Sequence, residues 1–253
     1  MLKIKEIKEQ FEQAEREQWN TLFSRYGTDD RAGVQKLIAQ YQRKLQAYEK
    51  EQIRLDKMLE FERKYGDAFS CICGIDEAGR GPFAGPVVAG AVVLPAGLKI
   101  EGVNDSKKVS ARRREELYEE IKEKAVSVGI GMSSPARIDE INILQATYEA
   151  MQHAIEDLDV VPDLLLNDAV TIPQVPIRQV GIVKGDARSL SIAAASIMAK
   201  VTRDRLMVEY AELYPEYGFE KNKGYGSEEH RAALKAHGPC PIHRATFIHA
   251  WVR

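Results

Sequence analysis

Two adjacent carboxylates, Asp76 and Glu77, close a short apolar run, and an arginine held between glycines, Gly79-Arg80-Gly81, follows at once. Carboxylate oxygens are preferred ligands of hard divalent cations such as Mg²⁺, which take few protein ligands and complete their shell with substrate phosphate. A guanidinium just beyond them matches phosphate geometry. The same residues also read as a polar turn ending a strand. The choice between the two rests on what the rest of the chain brings to this point.

Two further acids stand at or just past the ends of strand-like runs. Asp168 closes Pro162–Asp168, and Asp186 follows Lys184-Gly185 beyond Ile177–Val183. In open α/β sheets, side chains distant in sequence converge at strand ends. Four carboxylates gathered there would raise one another's pKa values and resist joint ionisation. Two divalent ions about 3.5–4 Å apart would stabilise the cluster and clamp a phosphodiester for in-line attack by water. Taken singly, Asp168 also reads as a turn residue beside Asn167, and Asp186 as the N-cap of the helix after it. Successive strand side chains point to opposite faces, so joint use of Asp76 and Glu77 calls for a bend, for which Gly74 and Gly79 offer freedom.

The elements that must position these residues form an α/β pattern. Residues 1–66 read as a helical N-terminal extension, broken at Tyr26-Gly27-Thr28-Asp29-Asp30, whose second part carries an apolar stripe through Val34, Leu37, Ile38, Tyr41, Leu45 and Tyr48. Basic residues outnumber acidic ones in that part, which reads either as a face toward nucleic acid or as a solvated charged surface. The extension fits a helical hairpin, a coiled-coil segment or a piece docked on the main domain.

Residues 67–253 read as the main domain. Phe69–Ile75 and Pro86–Leu94 are expected to pair as a hairpin around the Gly-rich turn. Val126–Met132, Pro162–Asp168 and Ile177–Val183 complete five strands. Helices are expected over Ala111–Lys124, from Ser134-Pro135 to Asp157, over Ser189–Leu213, and after a cap at Ser227.

Composition excludes several classes. The longest apolar stretches, Val87–Leu94 and Ile192–Ala199, fall short of the roughly 20 residues needed to span a bilayer, and the N-terminus has no apolar core of a secretory signal. A cytoplasmic protein without membrane attachment is expected. Cys71, Cys73 and Cys240 make an odd count without redox or zinc spacing, and His237 and His243 around Cys240 offer too few soft ligands for zinc. With a net charge of −2, bulk charge does not bind polyanions. Local basic surplus from Arg80 to Arg114 and from Arg178 to Arg205 would flank an acidic centre instead. Phosphate-binding loop, dinucleotide and nucleophile-elbow patterns are missing.

The segments Gly74-Ile-Asp-Glu-Ala-Gly-Arg-Gly-Pro82, Asn104-Asp-Ser-Lys-Lys108, Lys184-Gly-Asp186, Ala194-Ala-Ser-Ile-Met-Ala-Lys-Val-Thr-Arg-Asp-Arg205 and Lys223-Gly-Tyr-Gly226 resemble, in order, the signatures of ribonuclease HII, the bacterial type 2 ribonuclease H. The resemblance runs from about residue 70 to the end of the sequence. It implies a ribonuclease H-like mixed five-stranded sheet flanked by helices, with the N-terminal helical arm outside the signatures. It implies endonucleolytic cleavage of the RNA strand of RNA–DNA hybrids, and of single ribonucleotides in duplex DNA, with Mg²⁺ or Mn²⁺, leaving 5′-phosphate and 3′-hydroxyl ends.

The family's four metal-binding acids fall on Asp76, Glu77, Asp168 and Asp186. Its ribonucleotide-reading signature falls on Gly79, Arg80 and Gly81, where glycines let backbone groups approach a ribose 2′-hydroxyl. Its deoxyribose-packing tyrosine falls on Tyr225, and a phosphate contact on Lys107. Arginine rather than lysine between the two glycines favours type HII over the sister type HIII. Asn167 departs from the apolar residue usual before the third acid, and no sliding-clamp-binding pattern closes the sequence. A monomer is expected. A non-catalytic hybrid-binding module and another ribonuclease H-like enzyme, such as a resolvase or transferase, are the alternatives.

Overall fold

Val87–Val93 is buried along its entire length, as expected of a β-branched strand covered on both faces. The computed structural model in which it lies describes residues 2–251, so Val252 and Arg253, at the end where the clamp pattern was sought, lie outside the described residues. The strands are β1 (Ile72–Ala78), β2 (Val87–Val93), β3 (Ser127–Ser133), β4 (Leu164–Asp168) and β5 (Arg178–Ile182). They form one five-stranded sheet in the order β3-β2-β1-β4-β5. β1 and β2 are the expected antiparallel hairpin, β3 continues antiparallel to β2, and β4 and β5 run parallel to β1. The sheet is therefore mixed.

The helices are α1 (Ile4–Gln13), α2 (Trp19–Tyr26), α3 (Ala32–Met58), α4 (Glu60–Gly66), α5 (Ala111–Lys124), α6 (Pro135–Glu156), α7 (Leu190–Leu213), α8 (Phe219–Asn222), α9 (Glu228–His237) and α10 (Ala245–Ile248). Among the described residues, none is long and apolar enough to cross a membrane.

Alternation along the hairpin separates the two faces of the sheet. Cys73, Ile75, Ala89 and Ala91 pack with Ile138, Ala146 and Ala150 of α6. On the other face lies α7, approaching so closely that a Cβ added at Gly90 would stand 2.6 Å from the carbonyl oxygen of Ala195. The run of alanines on α7, all buried, lets that helix lie against the sheet without bulky spacers. Helix α6 is kinked where a single helix was expected, with Asn142 at φ 68°. Its Oδ1 accepts from the amides of Leu144 and Gln145 and so caps the second half.

The chain divides into two compact units, Met1–Leu55 and Asp56–Arg253. In the first, α1, α2 and the start of α3 enclose a core of their own made from Ile7, Phe11, Trp19, Val34, Ile38 and Tyr41. Phe11 and Trp19 both meet Tyr41, at ring-centroid distances of 4.7 and 4.9 Å. An extra break at Ala14–Gln18 separates α1 from α2, and this fold-back lets three short apolar faces enclose one another. Helix α4, inside the stretch assigned to the extension from sequence, belongs to the second unit. There Phe61 and Tyr65 pack beside Leu164, Leu166 and Ile192.

Candidate active site

Pairing between β1 and β2 continues unbroken through Asp76, Glu77 and Ala78, so the bend expected between the two acids is not found. They alternate instead. Asp76 lies opposite Gly90, on the face covered by α7, and Glu77 opposite Ala89, on the face of α6. The parallel β4 ends in Asp168 on the other side of β1, and a short 3₁₀ turn, Gly185–Ala187, carries Asp186 past the end of β5.

Asp76, Asp168 and Asp186 each offer a carboxylate oxygen, and these oxygens all lie within 4.8 Å of one another. Glu77 stands outside that group, with Oε1 3.3 Å from Nη1 of Arg80. Asp168 is more than a turn residue: its Oδ1 accepts from the amide of Gly185 at 2.7 Å and thereby ties down the turn bearing Asp186. Asp186 does not cap α7. That position is taken by Ser189, whose hydroxyl accepts from the amide of Ile192.

Electrostatics mark the cluster as short of positive charge. Burial pushes the Asp76 carboxyl well above the usual range, and the charges of Glu77 and Asp168 push further; a hydrogen bond from Ser196 and the Glu77 amide work against the rise. Burial also raises Glu77, against the opposing pull of Arg80. Asp186 is raised by burial, then by Asp105 and Asp168, with Lys107 and Lys108 opposing. The donor set, three converging carboxylates plus one beside them, fits a hard divalent cation and no soft one.

The residues matched to substrate contacts gather next to these acids. Gly79 has φ +95°, and a Cβ there would collide with the side chain of Arg203, so only glycine fits. The ring of Tyr225 is 3.8 Å from where a Cβ on Gly81 would be, and is 45 % exposed, which leaves its face available. The Gly79–Gly85 loop and the Tyr225 loop are joined directly, since the amides of Phe83 and Ala84 both donate to Gly224 O. Arg80 and Lys107 are exposed, and the charge of Lys107 reaches both Glu77 and Asp186.

Asn167, the odd residue before Asp168, is fully buried. Its Nδ2 donates to Gln179 Oε1 at 2.8 Å and so ties the end of β4 to β5, while its Oδ1 has no partner. Several groups that shape the site were not singled out from sequence. Asp105, which faces Asp186 electrically, and Arg203 stand inside segments quoted above without a role. Glu62 of α4 accepts from the Ser189 hydroxyl at 2.7 Å and from the Ser191 amide at 3.0 Å, and so fastens the start of α7. No local pattern in the sequence marks it. Nor does any pattern mark Arg244, which is buried behind the Gly79–Gly85 loop.

Comparison with known proteins bears on the family and the fold. The family model described as Ribonuclease HII matches residues 73–250, and one described as Ribonuclease HII N-terminal domain matches residues 3–66, extending the likeness into the arm. The chain is 58% identical over 247 residues to the ribonuclease HII of Lachnoclostridium phytofermentans, covering 98% of this chain and 97% of that one. To the ribonuclease HII of Clostridioides difficile it is 51% identical over 246 residues, covering 97% and 96%. Among solved structures, the ribonuclease H2 of Pyrococcus horikoshii superposes with a TM-score of 0.60 at 29% identity, covering 72% of this chain and 97% of that one.

Proposed function

The chain belongs to the ribonuclease HII family, type 2 ribonucleases H acting on RNA–DNA hybrids, and from that premise we propose that it also cuts duplex DNA at single embedded ribonucleotides, leaving 5′-phosphate and 3′-hydroxyl ends. The observation that carries this reading is the meeting of Asp76, Asp168 and Asp186 oxygens within 4.8 Å beside a glycine-lined loop packed against Tyr225. In this reading Asp76, Glu77, Asp168 and Asp186 hold two divalent ions, Mg²⁺ or Mn²⁺. When bound, such ions supply positive charge against the phosphodiester's developing charge and lower the pKa of the attacking water.

The protein's own groups do the placing. Gly79, Arg80 and Gly81 present backbone to the ribose 2′-hydroxyl, the one group that separates RNA from DNA. Tyr225 packs on the neighbouring deoxyribose, where an added hydroxyl would crowd it. Lys107 and Arg80 neutralise phosphate charge near the scissile bond, and Asp168 keeps Asp186 in register through Gly185. The N-terminal helical unit adds substrate affinity. The enzyme works as a monomer in the cytoplasm, in the removal of ribonucleotides during DNA replication and repair.

The test is incubation with Mg²⁺ or Mn²⁺ and a labelled duplex containing one ribonucleotide. A single cut at that residue is expected. An intact strand, with altered affinity as the sole response to metal, would indicate a hybrid-binding role, and cutting indifferent to the sugar would point to a resolvase- or transferase-like activity.

A further inference from the structure

Behind the Gly79–Gly85 loop lies a buried polar network that none of the steps above uses. Arg203 and Arg244 are both 0 % exposed, and among the described residues neither takes part in a salt bridge. Arg244 donates from Nη2 to Gly79 O at 2.6 Å, from Nη1 to Arg80 O at 3.0 Å and from Nε to Gly85 O at 2.9 Å. Arg203 donates from Nε to Pro86 O and from Nη2 to Ala84 O, both at 3.0 Å, and from Nη1 to Lys223 O at 2.9 Å in the loop of Tyr225. Burying two like charges costs more than an apolar filling of the same volume would, so stability alone does not account for the pair.

Geometry supplies what stability does not. A peptide unit is planar and trans. With Gly79 O and Arg80 O turned inward onto Arg244, the amide N–H groups of Arg80 and Gly81 point the opposite way, toward the side where substrate would lie.

His243, next to Arg244 in sequence, reaches the other half of the same site. The Nδ1 of His230 is 2.9 Å from Tyr225 O, and since a carbonyl only accepts, that nitrogen carries the proton. His230 Nε2 is then free to accept from His243 Nε2 at 2.9 Å, and His243 Nδ1 accepts in turn from the Cys240 amide at 2.9 Å. Each histidine is thereby held neutral in one tautomer, and the relay fixes the backbone of Tyr225.

We infer that His243 and Arg244, together with Arg203, are positioning residues that hold the Gly79–Gly81 backbone and Tyr225 as one preformed reader of the ribose 2′-hydroxyl. The inference rests on the reading of those two segments as substrate contacts.

Binding in EDTA, where nothing is cut, tests it. Affinities are measured for a duplex with one ribonucleotide and for the same duplex made wholly of DNA. Arg244→Lys keeps the charge and loses the planar fork. It is expected to lower the preference for the ribonucleotide about tenfold while leaving the affinity for the all-DNA duplex unchanged. His243→Asn is expected to act in the same direction. Retained preference, or a parallel loss for both duplexes, overturns the inference.

Should either variant fail to fold, amide exchange on the unaltered protein decides. The amides of Ala84 and Gly85 and those of Gly224 and Tyr225 are expected to open with one common equilibrium constant, and independent opening overturns the coupling. If the unaltered protein itself binds both duplexes alike, the ribose-reading function fails, while the exchange measurement still judges the coupling.

Discussion

Asp76 is the residue at which the design of the site is plainest. A carboxyl that is 6 % exposed, with the charges of Glu77 and Asp168 acting on it, is held at a cost to folding that a bound cation would offset. For an acid whose pKa is raised on folding, the native state binds protons more readily than the unfolded chain, so stability is lost as pH rises through the raised value. Metal-free protein at neutral pH therefore carries strain from Asp76, Glu77 and Asp186. Replacing one charge should relieve it. Asp186→Asn is expected to raise the melting temperature in EDTA, because it removes a partly buried charge and its repulsion with Asp105 and Asp168. It should also shrink the further rise produced by Mg²⁺ and lose most cleavage. Thermal melts with and without the metal check this, and an unchanged response to Mg²⁺ would remove Asp186 from the metal site.

At the scale of elements, the site depends on joints between pieces far apart in sequence. Ser189 and Glu62 together secure the first turn of α7, and the relay from His243 through His230 ties the segment before α10 to the loop before α9. The relay has a pH signature. Burial, then the closeness of a second imidazole in His230, lowers His243 from an ordinary 6.5 to about 4. Since the unfolded chain takes up this proton near pH 6.5 and the folded one near 4, the stabilisation is whole above 6.5 and is lost as pH falls toward 4. The interval corresponds to on the order of 3 kcal/mol. The buried acids of the site act with the opposite sign over part of this range, so the comparison must be with a variant. Melting curves of the unaltered protein and of His243→Asn between pH 7 and 4 are expected to converge on acidification, and parallel curves would show that His243 does not titrate with folding.

For the whole molecule, the division at Leu55 and Asp56 separates two kinds of loss. Removing residues 1–55 is expected to raise KM several-fold with little change in kcat, because the acids and the reading loops all belong to the second unit. Carrying the deletion to Gly66 also removes Glu62, leaving the Ser189 and Ser191 donors at the start of α7 without their acceptor, at a further cost of about 1–3 kcal/mol in stability. Steady-state kinetics and melts on the two truncations distinguish these effects; equal KM in the shorter deletion and the full chain would argue that the arm has no part in substrate affinity.

Much of this arrangement could be read from the residues in order. Five strands and their helices followed from β-branched runs, the Ser134-Pro135 helix start, the cap at Ser227, and the period of apolar positions, because these depend on neighbours within a few residues. Singly the acids also read as turn or cap residues; together they stood out because an open α/β sheet gathers its strand ends. Which face each acid takes was decided by the ladder: β1 stays regular past Asp76, so Glu77 leaves the strand on the opposite face and stands beside the trio, not within it. The buried partners Glu62, Arg203, His243 and Arg244 likewise acquire meaning only on folding. Arg203 and Arg244 donate to peptide carbonyls remote in sequence, Glu62 accepts from Ser189 and Ser191, and His243 meets His230; none of these pairings is marked by residues close in sequence.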